Sequence, residues 1–86
     1  MAAPASPRPA IILGQRIKAL RNERGLTQEE LADRASFHRN FIVLIEKGER
    51  NFTLRTMFAL AAALELHPAQ LFEGCVFDEA ETRSSI

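Results

Sequence analysis

Apolar residues recur along this chain in blocks with a helical period, separated by short polar or glycine-bearing breaks. Leu13, Ile17 and Leu20 sit at i, i+4 and i+7, with Arg16, Lys18 and Arg24 on other faces, which predicts a helix over about 11–24. Gly25 suits the left-handed residue that closes a helix, and Leu26 can fold back onto it. Thr27-Gln28-Glu29-Glu30 has the form of a capping box, a hydroxyl cap with a carboxylate three residues on. It predicts a second helix to about Ala35, with Leu31, Ala32 and Ala35 inward. Ser36 and Phe37 then make a turn.

The run Phe41-Ile42-Val43-Leu44-Ile45 has no polar interruption and could be a buried strand. Its flanks decide otherwise. His38 can cap a helix, and Gly48 can end it after about ten residues. With Ile42 at 0°, Ile45 falls at about −60° and Phe41 at about −100°, so these share a core face. Asn40, Val43, Leu44 and Lys47 fall at about 160°, 100°, 200° and 140°, which predicts one exposed face. Such a helix carries outward apolar groups that need a reason.

Thr53 can cap a fourth helix, whose Leu54, Met57, Phe58, Ala61 and Leu64 form one expected inward stripe. Pro68 suits the first position of a fifth, with His67 as its cap, Leu71 and Phe72 inward and Gly74 as its stop. The expected architecture is therefore all-α: five short helices in a domain over 11–74. An N-terminal arm, 1–10, carries three prolines, and a polar, acidic tail spans 75–86.

Eighty-six residues hold one domain with a single modest core. No apolar run approaches the roughly 18 residues that span a bilayer, and the first ten residues lack a secretory pattern. No membrane association is expected, and a cytoplasmic location is. Cys75 stands alone, which excludes an internal disulfide and a multi-cysteine metal site. The net charge of zero conceals a gradient. Residues 1–55 carry ten Lys/Arg against six Asp/Glu, and residues 56–86 carry one against five. A basic front half suits an anion-facing surface.

A helix, a tight turn and a second helix with a polar N-terminal end is the helix-turn-helix layout of proteins that read the DNA major groove. Arg39 can bond bidentately to guanine O6 and N7, and Asn40 to adenine N6 and N7. Val43 and Leu44, one turn later, can meet thymine methyls; the bland alternative is that they pack on this chain or a partner. No catalytic set, glycine-rich phosphate loop or metal spacing is visible, so no enzyme, cofactor or small-molecule ligand is expected.

The stretch Leu13–Phe72, with "LGQRI", "RGLTQEELA", "IEKGERN" and "LAAALELHPAQLF" in order, resembles the Xre family of bacterial and phage repressor-type helix-turn-helix regulators. The "HRNFI…IE…RNFT" portion is also similar to restriction-modification controller proteins. The resemblance implies a double-stranded DNA partner and assigns roles by position. Gln28 matches a phosphate contact that buttresses the reading helix, and Thr27 joins it at the helix N-terminus. Arg39 and Asn40 match base-reading positions, with Val43 and Leu44 the next groove-facing pair and Lys47 on the same face. His38 reads as a cap or phosphate neighbour. Arg50, Asn51 and Thr53 match a loop gripping phosphates, while Arg21 and Glu46 match a structural ion pair. Phe41 stands in place of a Tyr whose hydroxyl reaches phosphate. Phe52 stands in place of Pro or Leu and reads as a core cap.

The family's usual solution is a homodimer on a near-palindromic operator. Leu66, Leu71, Phe72, Val76 and Phe77 are the expected dimer residues. The function expected is a sequence-specific transcriptional regulator, a repressor or autoregulator. The rival is a helix-turn-helix module that docks proteins, favoured by an exposed Val43 and Leu44 and the zero net charge.

Overall fold

The computed structural model describes residues 8–75. Within them lie four α-helices and no strand: α1 Arg8–Glu23, α2 Gln28–Ala35, α3 Arg39–Lys47 and α4 Leu54–Ala63. A 3-10 helix, Pro68–Phe72, follows. The expected fifth α-helix is therefore corrected. Pro68 has no N–H, and Glu73 returns to extended backbone (φ −62°, ψ 132°), leaving five residues, too few for more than a tight turn. α1 starts at Arg8, so residues 8–10 belong to the helix and not to the expected arm. Pro9 is tolerated in that first turn because no intrahelical partner awaits its missing N–H.

Each helix end follows from local chemistry. At the end of α1, Gly25 takes φ +66°, its N–H donates to the Asn22 carbonyl (3.0 Å) and the Leu26 N–H to that of Arg21 (3.1 Å). This pair of bonds satisfies carbonyls the helix leaves open, and Leu26 is buried behind them. The capping box of α2 forms as expected: Thr27 Oγ1 accepts from the Glu30 N–H (3.0 Å), and the Thr27 N–H donates to Glu30 Oε1 (2.8 Å). These bonds, the backbone one first, hold the Glu30 carboxyl below the usual glutamate range. Ser36 closes α2 in the left-handed region, at φ 60°.

The fully buried Ile17, Leu31, Ile42, Ile45, Leu60, Leu64 and Leu71 form the centre of one core. Each contributes about 1.5–3 kcal/mol by leaving water. α3 packs against both α1 and α2, while α4 packs against α2 and the 3-10 helix. The α1–α3 crossing is unusually close at Gly14, where a Cβ would collide with the Ile45 carbonyl oxygen and lie 3.0 Å from that of Glu46.

The inward stripe expected for α4 is corrected. Leu60, Ala61, Ala63 and Leu64 are buried and Met57 is half-buried, but Leu54 and Phe58 are 74% and 60% exposed. With Leu60 marking the core direction, Leu54 and Phe58 lie about 120° and 160° away. The helix carries more apolar residues than its inner face holds.

Candidate nucleic-acid interface

Glu46 sits at the junction of three helices. Its carboxylate accepts from Arg21 Nε (2.6 Å) and Nη2 (3.1 Å) on α1, and from Gln28 Nε2 (3.1 Å) on α2. Arg21 Nη1 also donates to the Leu26 carbonyl (2.8 Å). Arg21 and Glu46 are each only 8% exposed. A buried ion pair that loses one partner costs about 3–5 kcal/mol, so this set of bonds fixes α3 against α1 and α2. The ion pair expected from resemblance is present, and it orients Gln28 as well.

Two other arginines of the basic front half are tied inward. Arg16 Nη2 donates to the Gln70 carbonyl (3.0 Å), and Arg24 Nε to that of Leu64 (2.8 Å). They join α1 to the 3-10 helix and to the end of α4. The charge gradient therefore overstates the surface free to meet an anion.

Lys18, Arg34 and Arg55 are exposed on the other helices, and the candidates for DNA contact lie at the ends of α3 and beside it. His38 is exposed and caps the helix, Nδ1 accepting from the Asn40 N–H (3.1 Å). Arg39 and Asn40 follow, both exposed, and Arg39 lines an open depression with Arg21, Thr27, Gln28 and Glu29. Thr27 is exposed, and Gln28 is half-buried with its side-chain amide donating to Glu46. At the far end Lys47, Arg50 and Asn51 are exposed.

Two expectations change. Val43 and Leu44 are half-buried rather than exposed, because a nine-residue helix held between α1 and α2 keeps only a narrow strip outward. Thr53 is exposed, but its hydroxyl accepts from the Thr56 N–H (3.1 Å) and bonds the Thr56 hydroxyl (3.0 Å). That side chain caps α4 before it can grip a phosphate.

The aromatics beside α3 form a small cluster with Arg50. Phe37 and Phe41 meet edge to face, centroids 4.8 Å apart and planes at 62°, and the Arg50 guanidinium carbon lies 5.9 Å from the Phe41 ring centroid. Phe52 packs half-buried against the core, as expected of a cap.

The three expected dimer residues that the structure describes differ in exposure. Leu71 is fully buried and belongs to the core, Leu66 is half-buried against it, and Phe72 is 42% exposed. Val76 and Phe77 lie outside the described residues. The apolar surface that sequence reasoning missed is Leu54 and Phe58, four residues apart on α4. The surplus of apolar positions on that helix was the available signal. Cys75 is half-buried, its Sγ 3.6 Å from the Leu71 carbonyl oxygen, and burial pushes its thiol up while Arg16 opposes this. Among the described residues no cluster of His, Cys, Asp and Glu could hold a metal, and no helix is long and apolar enough to cross a membrane.

The helix-turn-helix family profile HTH_3 matches residues 17–71. The immunity repressor of Bacillus phage phi105 is 48% identical over 52 residues, 60% of this chain and 36% of that protein. This chain thus spans about a third of that repressor's length. Among solved structures, the restriction-modification controller protein C.AhdI from Aeromonas hydrophila superposes with a TM-score of 0.74 at 37% identity, covering 76% of this chain and 98% of that one. The controller C.Esp1396I, solved as a tetramer in complex with its natural 35 base-pair operator, gives 0.70 at 33% identity, over 74% and 84%. With the profile spanning most of the chain and full-length controllers sharing its fold, the chain belongs to the Xre-type helix-turn-helix family, HTH_3.

Proposed function

We propose that this chain is a sequence-specific DNA-binding transcriptional regulator, not an enzyme. It binds a near-palindromic operator as a dimer and reads the major groove with α3. The observation that carries the reading is the presentation of Arg39 and Asn40. They stand exposed at the N-terminal end of a helix clamped by the buried Arg21–Glu46–Gln28 bonds. A reading helix must hold its donors still, because a base-edge hydrogen bond discriminates only if the wrong base cannot be met by a small shift. Thr27, Gln28, His38, Lys47, Arg50 and Asn51 supply the phosphate contacts that set register and affinity, with Arg50 also near enough to the end of α3 to reach a base edge. Val43 and Leu44 supply the rim of the apolar strip that meets thymine methyls.

The dimer face includes Leu54 and Phe58, with Leu66 and Phe72 kept from the expected set and the buried Leu71 left out. Exposed apolar side chains of this size on a small domain mark an interaction surface. Relatives that control restriction-modification genes or phage immunity make a repressor or autoregulator the natural role, exercised in the cytoplasm beside the operator. The docking-module reading loses its main support, since Val43 and Leu44 are not an exposed patch.

Selection from a random duplex library tests the proposal. The expected result is a two-fold symmetric site with half-sites one helical turn apart or a multiple of it. It should bind at least about a thousandfold tighter than a scrambled duplex at physiological salt. Absence of enrichment, with weak binding that vanishes as salt rises, would refute it.

A further inference from the structure

We propose that Phe41 is a positioning residue for DNA contact, holding the Arg50 guanidinium against its ring so that the loop after α3 meets the operator pre-arranged. The proposal rests on the operator-binding reading above. Phe41 lies on the flank of α3, half-buried, and its ring bridges two segments distant in sequence. On one side Phe37, in the turn before α3, meets it edge to face; on the other Arg50, in the loop after α3, lies over it. Phe37 fixes the ring, and the ring offers its electron-rich face to the guanidinium.

Arg50 makes no ion pair or hydrogen bond among the described residues, so the ring is the contact that restrains an otherwise exposed side chain. A guanidinium restrained only by a ring has no hydrogen-bond partner among the described residues, so its N–H donors stay available to DNA. It therefore loses less side-chain freedom when those donors meet a phosphate or a base edge. Phe41 has no hydroxyl to reach DNA, so its contribution passes through Arg50. Gly48 supports the same geometry. Its φ of +76° turns the chain sharply after α3, and its Cα packs so near Ile11 that a Cβ would lie 2.7 Å from Ile11 Cα.

The test is a double-mutant cycle on the selected operator, with Phe41→Leu, Arg50→Ala and the pair. Phe41→Leu should weaken operator binding about three- to tenfold in the wild-type background, but less than twofold where Arg50 is already Ala. Phe41→Tyr keeps the ring and should bind at least as tightly as wild type, because the added hydroxyl is the one that reaches phosphate in the resembling family. Equal loss from Phe41→Leu in both backgrounds would overturn the proposal, since Phe41 would then act through packing of α3 alone. No loss in either background would overturn it too.

A readout without DNA guards against a misfolded variant. In the free wild-type protein, ring current should shift the Arg50 Hδ protons upfield of their ordinary positions, and Arg50→Lys should weaken binding while leaving the melt unchanged. Ordinary Arg50 shifts would mean the stack is absent and the proposal wrong. If the wild-type protein selects no operator, the operator-binding reading fails instead, and the ring-current measurement still decides whether Arg50 is stacked.

Discussion

Replacing Gly14 by Ala adds one methyl group at the closest approach of α1 and α3. In an isolated helix this change stabilises by about 0.8–1 kcal/mol, because Ala is the better helix former. Here the new Cβ would collide with the Ile45 carbonyl oxygen and stand 3.0 Å and 3.2 Å from the Glu46 carbonyl oxygen and carbon. All three are backbone atoms, so no side chain can swing aside. The two helices must separate, and separating them stretches the Arg21–Glu46 bonds, of which the shortest is 2.6 Å. Overpacking at a side-chain contact costs about 1–3 kcal/mol, and a backbone contact lies at the upper end or beyond. After subtracting the helix-propensity gain, Gly14→Ala should destabilise by about 2 kcal/mol or more.

For a domain of this size that lowers Tm by about 4–8 °C per kcal/mol. Thermal and urea melts followed by circular dichroism measure it. Gln15→Ala, exposed on the same helix, is the control and should leave Tm unchanged or slightly raised. If Gly14→Ala melts at or above the wild-type temperature, the close α1–α3 crossing is wrong.

Three further outcomes follow from other parts of the molecule. Glu46→Ala leaves the buried Arg21 guanidinium with the Leu26 carbonyl alone, and urea melts should show a loss of about 3–5 kcal/mol; a loss under about 1 kcal/mol would show that the pair is not buried as described. Ser36→Gly relieves a left-handed residue at φ 60°, which costs a side chain about 1–2 kcal/mol, partly offset by glycine's greater freedom when unfolded. A net gain of about 0.5–1 kcal/mol should appear as a higher Tm, and a lower one would refute the strain. Leu54→Gln with Phe58→Gln should give a monomer in sedimentation equilibrium where the wild-type chain is the proposed dimer, with the helical circular dichroism spectrum kept, because both side chains already stand in water in the single chain. An unchanged mass would move the dimer face elsewhere.

Much of this molecule is legible in the order of its residues. Caps and stops act through neighbours in sequence, so Thr27 with Glu30, Gly25 with Leu26, His38, Gly48 and Thr53 all behave as their local chemistry requires. The core face of α3 follows from period alone, as the burial of Ile42 and Ile45 attests. What eluded the sequence depends on distant neighbours. The half-burial of Val43 and Leu44 is set by how closely α1 and α2 flank a short helix. The exposure of Leu54 and Phe58 depends on which of two apolar stripes meets α2.

The same holds for polar groups. The resemblance has Gln28 buttress the reading helix as well as meet a phosphate, but the atom it bonds, the Glu46 carboxylate, emerges only once α2 and α3 are placed together. Arg16 and Arg24 count toward the basic front half in any sum of charges, yet both reach inward to carbonyls more than thirty positions away. Gly14 carries no signal in composition or spacing, since a close backbone approach is a property of two helices and not of one.

The central claim is that Arg39 and Asn40 read base edges. The most direct test is to titrate wild-type protein, Arg39→Ala and Asn40→Ala against both the selected operator and a scrambled duplex at one salt concentration. Each substitution should weaken operator binding by about 1–3 kcal/mol, roughly five- to 150-fold, and binding to the scramble by much less. Equal losses on both duplexes, or no loss on either, would contradict the account, because α3 would then be touching DNA without reading it or not touching it at all.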